Sequence, residues 1–302
     1  MNLLLTGCFN YSSSQLKELE QLGLKIFFLQ NENDPLTLDP RLIDATVCNG
    51  LFLHHSIDAF SRLKYIQLTS AGLDRVPLEI IRKRNITLHN ARGVYSIPMA
   101  EWTLTKVLDI YKQTAFFYHN QSNLVWMKNR DLREINGSTV AIIGAGNVGS
   151  EVAQRFKALG ASVQGFDINP TDSPSFDIIK SIQSLPENIS NFDIIIVTMP
   201  LTKSTEGFFD LKLLEKIAPN AIIVNISRGA IFNESDLIHF LTKRNDIVAI
   251  LDVFCEEPLP KSNELWKLNN VIISPHNSFI SNGNSKRMFN VIYNNLQNFL
   301  KQ

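Results

Sequence analysis

The stretch Thr139–Gly149 reads TVAIIGAGNVG, an apolar run that passes into a glycine-rich turn. The run has the β-branched composition of a strand buried on both faces, and the letters that follow, NVGSEVAQRFKAL, have the apolar spacing of a helix. A strand that turns through glycines directly into a helix is typical of the first crossover in a doubly wound parallel sheet. We therefore expect strands and helices to alternate on both sides of this turn.

Each residue of the GAGNVG turn has a predicted use. Gly144 would allow the tight turn, Gly146 would let the backbone approach a phosphate group, and Gly149 would let the helix pack closely against the sheet. Asn147 and Val148 begin the helix, whose free N–H groups and positive dipole end favour a pyrophosphate. A lone pattern of this kind can be a simple tight turn, but its place between a strand and a helix favours a dinucleotide site.

The next apolar run, SVQGFD (162–167), ends in an acidic residue. Asp167 lies near the distance of about 20 residues beyond the glycines at which a carboxylate binds an adenosine ribose. It could accept hydrogen bonds from both ribose hydroxyls and would repel a 2′-phosphate. The residues that follow are Ile168, Asn169 and Pro170, with no arginine to accommodate that phosphate. The sequence therefore predicts NAD rather than NADP.

Four more apolar runs extend this series to six predicted strands. They are DIIIVTMP (193–200), AIIVNIS (221–227), DIVAILDVF (246–254) and NVIISP (270–275). Five shorter runs near the N-terminus, again with helical segments between them, are NLLLTG, LKIFFLQ, TVCNG, YIQLTS and ITLHN. An unbroken helical stretch from Met99 to about His119 separates the two series. This pattern predicts an α/β protein with two doubly wound parallel sheets.

Arg228, Glu257 and His276 follow the last three predicted strands, which are neighbours in the strand order 3-2-1-4-5-6. Because ligands bind beyond the carboxyl ends of such strands, we expect the three side chains at the same edge as the glycine turn. Arginine could grip a carboxylate and polarise the adjacent carbonyl, histidine could exchange a proton, and a carboxylate could orient the ring. Each residue alone could be an ordinary surface group, but their joint occurrence favours a catalytic site.

The composition argues against several other classes of function. The 302 residues include 29 Lys and Arg and 29 Asp and Glu, so no surplus charge favours nucleic acid or an acidic membrane. No run approaches the roughly 18 apolar residues of a membrane span, and the N-terminus lacks the basic segment of a signal peptide. Cys8, Cys48 and Cys255 lie far apart without metal-ligand spacing, which predicts free thiols, a cytoplasmic location and no metal.

Seven motifs, in order along nearly the whole chain, resemble those of the D-isomer-specific 2-hydroxyacid dehydrogenase family. They are TSAGLDRVP (69–77), NARGVYSIPMAEWTL (90–104), GAGNVG (144–149), TMPLTKSTEGFF (198–209), NISRGAIFNE (225–234), LDVFCEEPLP (251–260) and SPHN (274–277). The segment RGVYSIPMAEW is similar to the corresponding sequence in the hydroxypyruvate reductase and phosphoglycerate dehydrogenase branch. The residues after His276 are Asn277, Ser278 and Phe279, where many members of the family have a small turn with Ala or Gly.

The resemblance implies a domain organisation and a set of roles. Residues 1–98 with 278–302 would form a flavodoxin-like substrate domain, interrupted by a Rossmann NAD-binding domain over 99–277, with a cleft that closes on substrate. Arg228 would bind the substrate carboxylate and carbonyl, with His276 as the acid and base and Glu257 as its partner. The helices near residue 100 would form a homodimer.

The resemblance also implies which residues surround the ligands. Asp252 would hold the nicotinamide carboxamide, and the backbone N–H groups of the SAGLD loop would bind the substrate carboxylate. The implied cofactor contacts are Thr198, Met199, Pro200, Thr205, Ile226, Ser227, Arg228, Asp252 and His276. The implied substrate contacts are Ala71, Gly72, Leu73, Arg228 and His276. His54 and His55 could also approach a substrate, although an ordinary packing or surface role is the simpler interpretation for both.

These observations predict an NAD-dependent oxidoreductase that transfers a hydride between NADH and a small 2-keto acid, giving a D-2-hydroxy acid. Two alternatives stay open at this point. One is an NADPH-preferring glyoxylate or hydroxypyruvate reductase. The other is a dinucleotide-sensing binding protein or corepressor built on the same fold.

Overall fold

The computed structural model describes residues 1–301, and the chain forms two compact units. The first unit comprises Met1–Tyr95 and the C-terminal segment from Ser281 onward, and the second comprises Ser96–Ile280. The boundary predicted after residue 98 falls inside the first turn of a helix that begins at Ser96, and the observed division precedes that helix. Within residues 1–301, no helix combines the length and the apolar character that crossing a membrane requires.

The first unit contains a five-stranded parallel sheet in the order β2-β1-β3-β4-β5. Its elements in chain order are β1 (Asn2–Thr6), α1 (Ser13–Gln21), β2 (Lys25–Leu29), β3 (Ala45–Cys48), α2 (Leu51–His54), β4 (Tyr65–Leu68), α3 (Leu78–Lys83) and β5 (Thr87–His89). The five strands predicted from the apolar runs are therefore confirmed. Helix α1 begins directly after Ser12, because Ser12 and Gln15 form a reciprocal capping box.

The second unit contains a seven-stranded parallel sheet flanked by helices. Its elements are α4 (Ser96–Tyr111), α5 (Thr114–Ser122), β6 (Thr139–Ile143), α6 (Asn147–Ala158), β7 (Ser162–Asp167), β8 (Ile178–Ser181), α7 (Leu185–Asn188), β9 (Ile194–Val197), α8 (Leu211–Leu214), β10 (Ile222–Asn225), α9 (Glu234–Lys243), β11 (Val248–Leu251) and β12 (Val271–Ile273). The strand order is β12-β11-β10-β9-β6-β7-β8. The predicted fold class, α/β with two parallel sheets, is confirmed.

The C-terminal helix α10 (Asn284–Leu300) belongs to the first unit. Its buried residues Met288, Phe289, Ile292 and Leu296 share one apolar cluster with residues of the first unit's sheet, including Leu3. The N-terminal segment therefore acquires part of its core from the far end of the chain.

The prediction of six strands in the second unit was wrong by one, because β8 was missed. This strand pairs only with β7 at the edge of the sheet, and its four residues, IIKS, are exposed or half-buried. An edge strand of this kind lacks the continuous apolar run that the buried strands share. As a result, β9 is the fourth strand of the series and lies between β6 and β10, where all its residues are buried. The last three strands are neighbours, as predicted.

The predicted unbroken helix from Met99 to His119 is also wrong, because two helices occupy this stretch. Helix α4 ends at Tyr111 and α5 begins at Thr114, with Gln113 between them in the left-handed region at φ 52°. The Thr114 hydroxyl donates hydrogen bonds to the backbone oxygen and the carboxylate of Asp109. No glycine or proline marks this break, so the sequence pattern did not indicate it.

Strands β6, β9, β10 and β11 are buried at all or nearly all positions, which explains their continuous apolar runs. Ala141 and Ile143 of β6 point into one core cluster, and Val140 and Ile142 point into the other. Helix α6 covers the second of these faces with Val152, Ala153 and Phe156. This packing fixes the position of the glycine turn between β6 and α6 at the carboxyl edge of the sheet.

Candidate active site

The carboxyl edge of the second unit's sheet collects the residues that the sequence singled out. The glycine turn follows β6, Asp167 ends β7, Thr198 follows β9, Arg228 follows β10, Asp252 and Glu257 follow β11, and His276 follows β12. All of these strands are parallel, so their carboxyl ends lie at one edge.

The three glycines of the turn have different reasons to lack a side chain. Gly144 adopts φ +105°, and a Cβ there would lie 2.6 Å from the backbone nitrogen of Met199. A Cβ on Gly149 would overlap the backbone oxygen of Gly144. Gly146 has an ordinary φ of −77°, and a Cβ there would meet no atom within 4 Å. The protein's own packing therefore requires Gly144 and Gly149 but leaves open space at Gly146, as a site for a pyrophosphate would.

This difference predicts opposite results for two alanine substitutions. Gly149→Ala should lower the free energy of unfolding by about 1–3 kcal/mol, because the new methyl group overlaps the backbone. Gly146→Ala should leave the melting temperature close to that of the wild type and weaken NADH binding roughly tenfold or more, since the methyl group occupies ligand space. Thermal unfolding and NADH fluorescence titration measure the two effects. Wild-type NADH affinity in Gly146→Ala would contradict the assignment.

Asp167 lies beside the glycine turn and helps to shape it. Its Oδ2 accepts a hydrogen bond of 2.8 Å from the backbone nitrogen of Ala145, and its Oδ1 accepts one of 3.0 Å from that of Asn169. The next residue, Ile168, is exposed and carries no charge. On the other side of the turn, the hydroxyl of Thr198 donates to the oxygen of Gly144 at 2.7 Å. The turn is thus held to both neighbouring strands.

The ring of His276 meets the carboxylate of Glu257. Its Nδ1 lies 2.7 Å from Oε2 of Glu257, and the two side chains are 32% and 36% exposed. The other carboxylate oxygen, Oε1, accepts a hydrogen bond from the backbone nitrogen of Phe254 at 3.0 Å, which fixes the carboxylate in turn. This contact orients the imidazole and leaves Nε2 as the ring nitrogen available for proton exchange.

The backbone of His276 is in the left-handed region, at φ 52°. Its N–H group donates to the backbone oxygens of Asp252 and Ser274, at 2.8 and 3.0 Å. This conformation costs free energy for a residue other than glycine, so the surrounding contacts must stabilise it. The Phe279 ring stands edge-on to the imidazole, with the ring centres 5.6 Å apart.

Arg228 lies in the turn after β10, and a buried residue that the sequence did not single out shapes this turn. Asn225 donates from Nδ2 to the backbone oxygen of Arg228 and accepts hydrogen bonds from both the nitrogen and the hydroxyl of Ser227. A Cβ on Gly229 would overlap the backbone of Phe254, so the turn packs directly against the segment that leads to Glu257. Nη1 of Arg228 donates to the oxygen of Ser227 at 2.8 Å.

Several of the residues implied as cofactor contacts are buried beneath this edge. Met199, Thr205, Ile226, Ser227 and Asp252 are each at most 8% exposed. The hydroxyl of Thr205 serves the local backbone, since it donates to the oxygen of Pro200 and accepts from the nitrogen of Thr202. These side chains therefore support the shape of the edge more than they line it.

The Asp252 carboxylate is fully buried and engaged on both oxygens. Oδ1 accepts hydrogen bonds from the hydroxyl of Ser274 and the backbone nitrogen of Asn277, and Oδ2 accepts one from the backbone nitrogen of Ser278. Sequence reasoning missed these two serines, and their only signal was their place on either side of His276. The hydroxyl of Ser278 is buried and has no hydrogen-bond partner among residues 1–301.

The SAGLD loop of the first unit is held by hydrogen bonds to two of its carbonyl oxygens. Its carbonyl oxygens are occupied, because Asn90 Nδ2 donates to the oxygen of Ala71 at 2.7 Å and the Ser70 hydroxyl donates to that of Gly72 at 3.0 Å. Among residues 1–301, the backbone N–H groups of Ala71, Gly72 and Leu73 have no acceptor. In the same unit, His55 has a structural partner, since its Nε2 lies 2.9 Å from the backbone oxygen of Glu32.

A cysteine thiol lies close in sequence to the carboxylate that contacts His276. Residues 1–301 contain no cluster of three or more His, Cys, Asp or Glu side chains able to hold a metal ion. Cys255 lies two positions before Glu257, and burial, together with the nearby Glu234 carboxylate, raises the pKa of its thiol to about 11. The thiol is therefore protonated at neutral pH and is a poor nucleophile.

A doubly wound sheet that opens on a glycine turn, with an imidazole held by a carboxylate at the same edge, is the arrangement of a dinucleotide-dependent oxidoreductase. A family model described as D-isomer specific 2-hydroxyacid dehydrogenase, NAD binding domain, matches residues 104–278. The chain belongs to the D-isomer specific 2-hydroxyacid dehydrogenase family.

Individual relatives agree with this assignment. The chain is 30% identical over 246 residues to the human glyoxylate reductase/hydroxypyruvate reductase, which covers 79% of this chain and 70% of that protein. It is 26% identical to a hydroxypyruvate reductase of Blautia hydrogenotrophica over 97% of this chain and 94% of that one. The match to the D-3-phosphoglycerate dehydrogenase of Pongo abelii, in contrast, spans only 49% of that protein.

A solved structure shows the same fold over the whole chain. A D-isomer specific 2-hydroxyacid dehydrogenase family protein from Aeromonas salmonicida subsp. salmonicida superposes with a TM-score of 0.86 at 26% identity. The superposition covers 99% of this chain and 95% of that one.

Proposed function

We propose that this protein is an NADH-dependent reductase of small 2-keto acids, which it converts to D-2-hydroxy acids. The observation that carries the proposal is the 2.7 Å contact between His276 and Glu257 at the sheet edge that also bears the glycine turn. A dinucleotide sensor would need the glycine turn but would have no use for an imidazole oriented by a carboxylate. An acid and base held beside a dinucleotide site is what the reduction of a carbonyl requires.

The residues at the carboxyl edge of the sheet would have different roles in such a reaction. A bound NADH would supply the hydride to C2 of the keto acid. His276 would donate a proton from Nε2 to the C2 oxygen, while Glu257 keeps Nδ1 engaged and stabilises the protonated ring. Arg228 would bind the carboxylate and polarise the carbonyl with its forked guanidinium. In the reverse direction the neutral His276 would accept the proton of the hydroxy acid.

The first unit offers a second group for the substrate carboxylate. We propose that the N–H groups of Ala71, Gly72 and Leu73 bind it, since their loop is held by its carbonyl oxygens and its donors are not used within residues 1–301. Successive backbone N–H groups of this kind form a concave site for an anion.

NAD is the proposed cofactor, and Asp167 is the residue that selects it. Its carboxylate lies within 2.8 Å of the glycine turn, so it is placed to accept hydrogen bonds from the ribose hydroxyls. A 2′-phosphate would meet that negative charge and the exposed, uncharged Ile168. The open space at Gly146 and the N-terminus of the twelve-residue helix α6 fit the pyrophosphate.

The substrates we expect first are hydroxypyruvate and glyoxylate, after the names of the relatives that match most of this chain. The deciding experiment measures NADH and NADPH oxidation over glyoxylate, hydroxypyruvate, pyruvate and branched-chain 2-keto acids. Reduction of at least one keto acid, with a higher kcat/KM for NADH than for NADPH, is the expected result. A strong preference for NADPH would refute the role of Asp167. NADH binding without reduction of any keto acid would favour a dinucleotide sensor instead.

We also propose that the protein is a homodimer, based on an exposed apolar segment after α5. Leu124 and Trp126 are 95% and 99% exposed, and Val125, Met127 and Leu132 are partly exposed. Apolar surface on this scale marks a protein contact, and a neutral chain carries no net charge to repel a second copy.

The dimer proposal predicts a change of mass on substitution of this segment. The wild type should have twice the chain mass of 34.2 kDa in light scattering, and the pair Leu124→Ser and Trp126→Ser should shift it to one chain. Leu53→Ser, at an exposed leucine of the first unit, is the matched control and should stay dimeric. A wild type that scatters as a single chain would rule the dimer out.

A further inference from the structure

The Asp252 carboxylate is a buried charge without a cation. It is fully buried, and none of the ion pairs of residues 1–301 includes it. A carboxylate withdrawn from water costs free energy unless hydrogen bonds replace those it loses. The groups that donate hydrogen bonds to this carboxylate therefore indicate the role of Asp252.

All three donors to this carboxylate come from one short segment, Ser274–Ser278, which has His276 at its centre. They are the Ser274 hydroxyl, the Asn277 backbone nitrogen at 2.8 Å and the Ser278 backbone nitrogen at 2.9 Å. A fourth hydrogen bond joins the His276 nitrogen to the backbone oxygen of Asp252 at 2.8 Å. A single residue thus binds the segment before, at and after the imidazole.

The segment has few other means to hold its shape. Pro275 and Asn277 are exposed, and His276 is in the left-handed region, which is unfavourable for a residue with a side chain. Hydrogen bonds to a charged acceptor are stronger than those between neutral groups. The buried carboxylate therefore constrains the backbone of this segment directly after His276 and the Ser274 side chain before it.

We propose that Asp252 is a positioning residue, which holds Ser274–Ser278 in the one conformation that brings His276 to Glu257. This role is additional to the nicotinamide contact that the sequence resemblance implied, because a carboxylate can accept about four hydrogen bonds and the segment donates three of them. It rests on the proposed function only in that His276 carries the proton. The hydrogen bonds between Asp252 and the segment are present without any ligand.

The substitution Asp252→Asn tests this role directly. The side chain keeps its shape, but an NH2 group replaces one carboxylate oxygen, so a donor then faces the N–H or O–H group that the oxygen had bound. Hydrogen–deuterium exchange of the ligand-free protein, followed on peptides that cover residues 271–280, should become roughly tenfold faster or more. Asp177→Asn is the matched control, because Asp177 also accepts from a backbone nitrogen, that of Val163 at 2.7 Å. Exchange over residues 271–280 should be unchanged in that control.

Kinetics provide a second readout, which separates positioning from cofactor binding. Asp252→Asn should lower kcat roughly tenfold to a hundredfold, because the imidazole no longer keeps one orientation, and should change the keto-acid KM less than kcat. NADH affinity, measured by fluorescence in the absence of substrate, should change less than kcat. Ser274→Ala, which removes only the hydroxyl donor, should cause the same changes to a smaller extent and serves if the first variant fails to fold.

The result that would overturn the inference is unchanged exchange over residues 271–280 in both Asp252→Asn and Ser274→Ala. A loss of NADH affinity with that segment still protected would make Asp252 a cofactor contact and would overturn it as well. Failure of the proposed function gives a different pattern of results. A variant without the imidazole of His276 would then keep its turnover, while exchange over residues 271–280 would still be faster in Asp252→Asn.

Discussion

His276→Ala is expected to lower kcat by roughly 10²–10⁴-fold, the usual contribution of a general acid and base. The substitution removes the only group of the edge whose ring nitrogen is both oriented by a carboxylate and available for a proton. NADH binding should persist, because the glycine turn and Asp167 belong to other strands. Steady-state assays with the best keto acid, and NADH fluorescence titration, measure the two quantities.

The control for this variant is His239→Ala, at an exposed histidine of α9. It should keep wild-type turnover. Normal turnover in His276→Ala would remove the acid and base role, and loss of NADH binding in the same variant would show that the substitution disturbs the edge more widely. Exogenous imidazole should restore part of the lost rate if the defect is the missing ring alone.

Arg228→Lys is expected to cost about 2–3 kcal/mol in transition-state stabilisation, or roughly 30–150-fold in kcat/KM for the keto acid. A lysine keeps the positive charge but cannot form the two parallel hydrogen bonds of a guanidinium to a carboxylate. Because Arg228 is held in a turn shaped by Asn225 and Gly229, a shorter or differently shaped side chain has little freedom to compensate.

Arg244→Lys is the matched control for this substitution. Arg244 also forms a forked contact, with Nε and Nη2 each 2.8 Å from the Asp246 carboxylate, but at the end of α9. Its kcat/KM should equal that of the wild type. Unchanged kcat/KM in Arg228→Lys would show that the substrate does not depend on the fork.

The buried strands, and with them the glycine turn, could be predicted because a strand that is buried on both faces has a continuous run of apolar residues. The runs that became β6 and β9 are apolar at every buried position, since each strand is covered on both faces. Strand β8 lacks that cover and has Lys180 in its middle, so its letters resemble a loop. The break at Gln113 was hidden for a similar reason, because it depends on a local hydrogen bond of Thr114.

The candidate site could be placed on the sheet from the sequence, but its supporting contacts could not. The positions of Arg228, Glu257 and His276 after neighbouring strands follow from the topology of parallel sheets. The burial of Asp252 and its three donors depend on how the chain turns after β12, and spacing alone does not specify such a turn. The same is true of Asn225, whose side chain shapes the turn that bears Arg228.

The place of α10 has a consequence for the order in which the protein is made. The first unit needs Met288, Phe289, Ile292 and Leu296 to complete its core, so its N-terminal segment cannot finish folding before α10 has been synthesised. The second unit, Ser96–Ile280, is contiguous and can fold as soon as it is synthesised. The second unit can therefore fold before the first, in which Leu3 and Leu5 of β1 share their core cluster with α10 only after that helix has been synthesised.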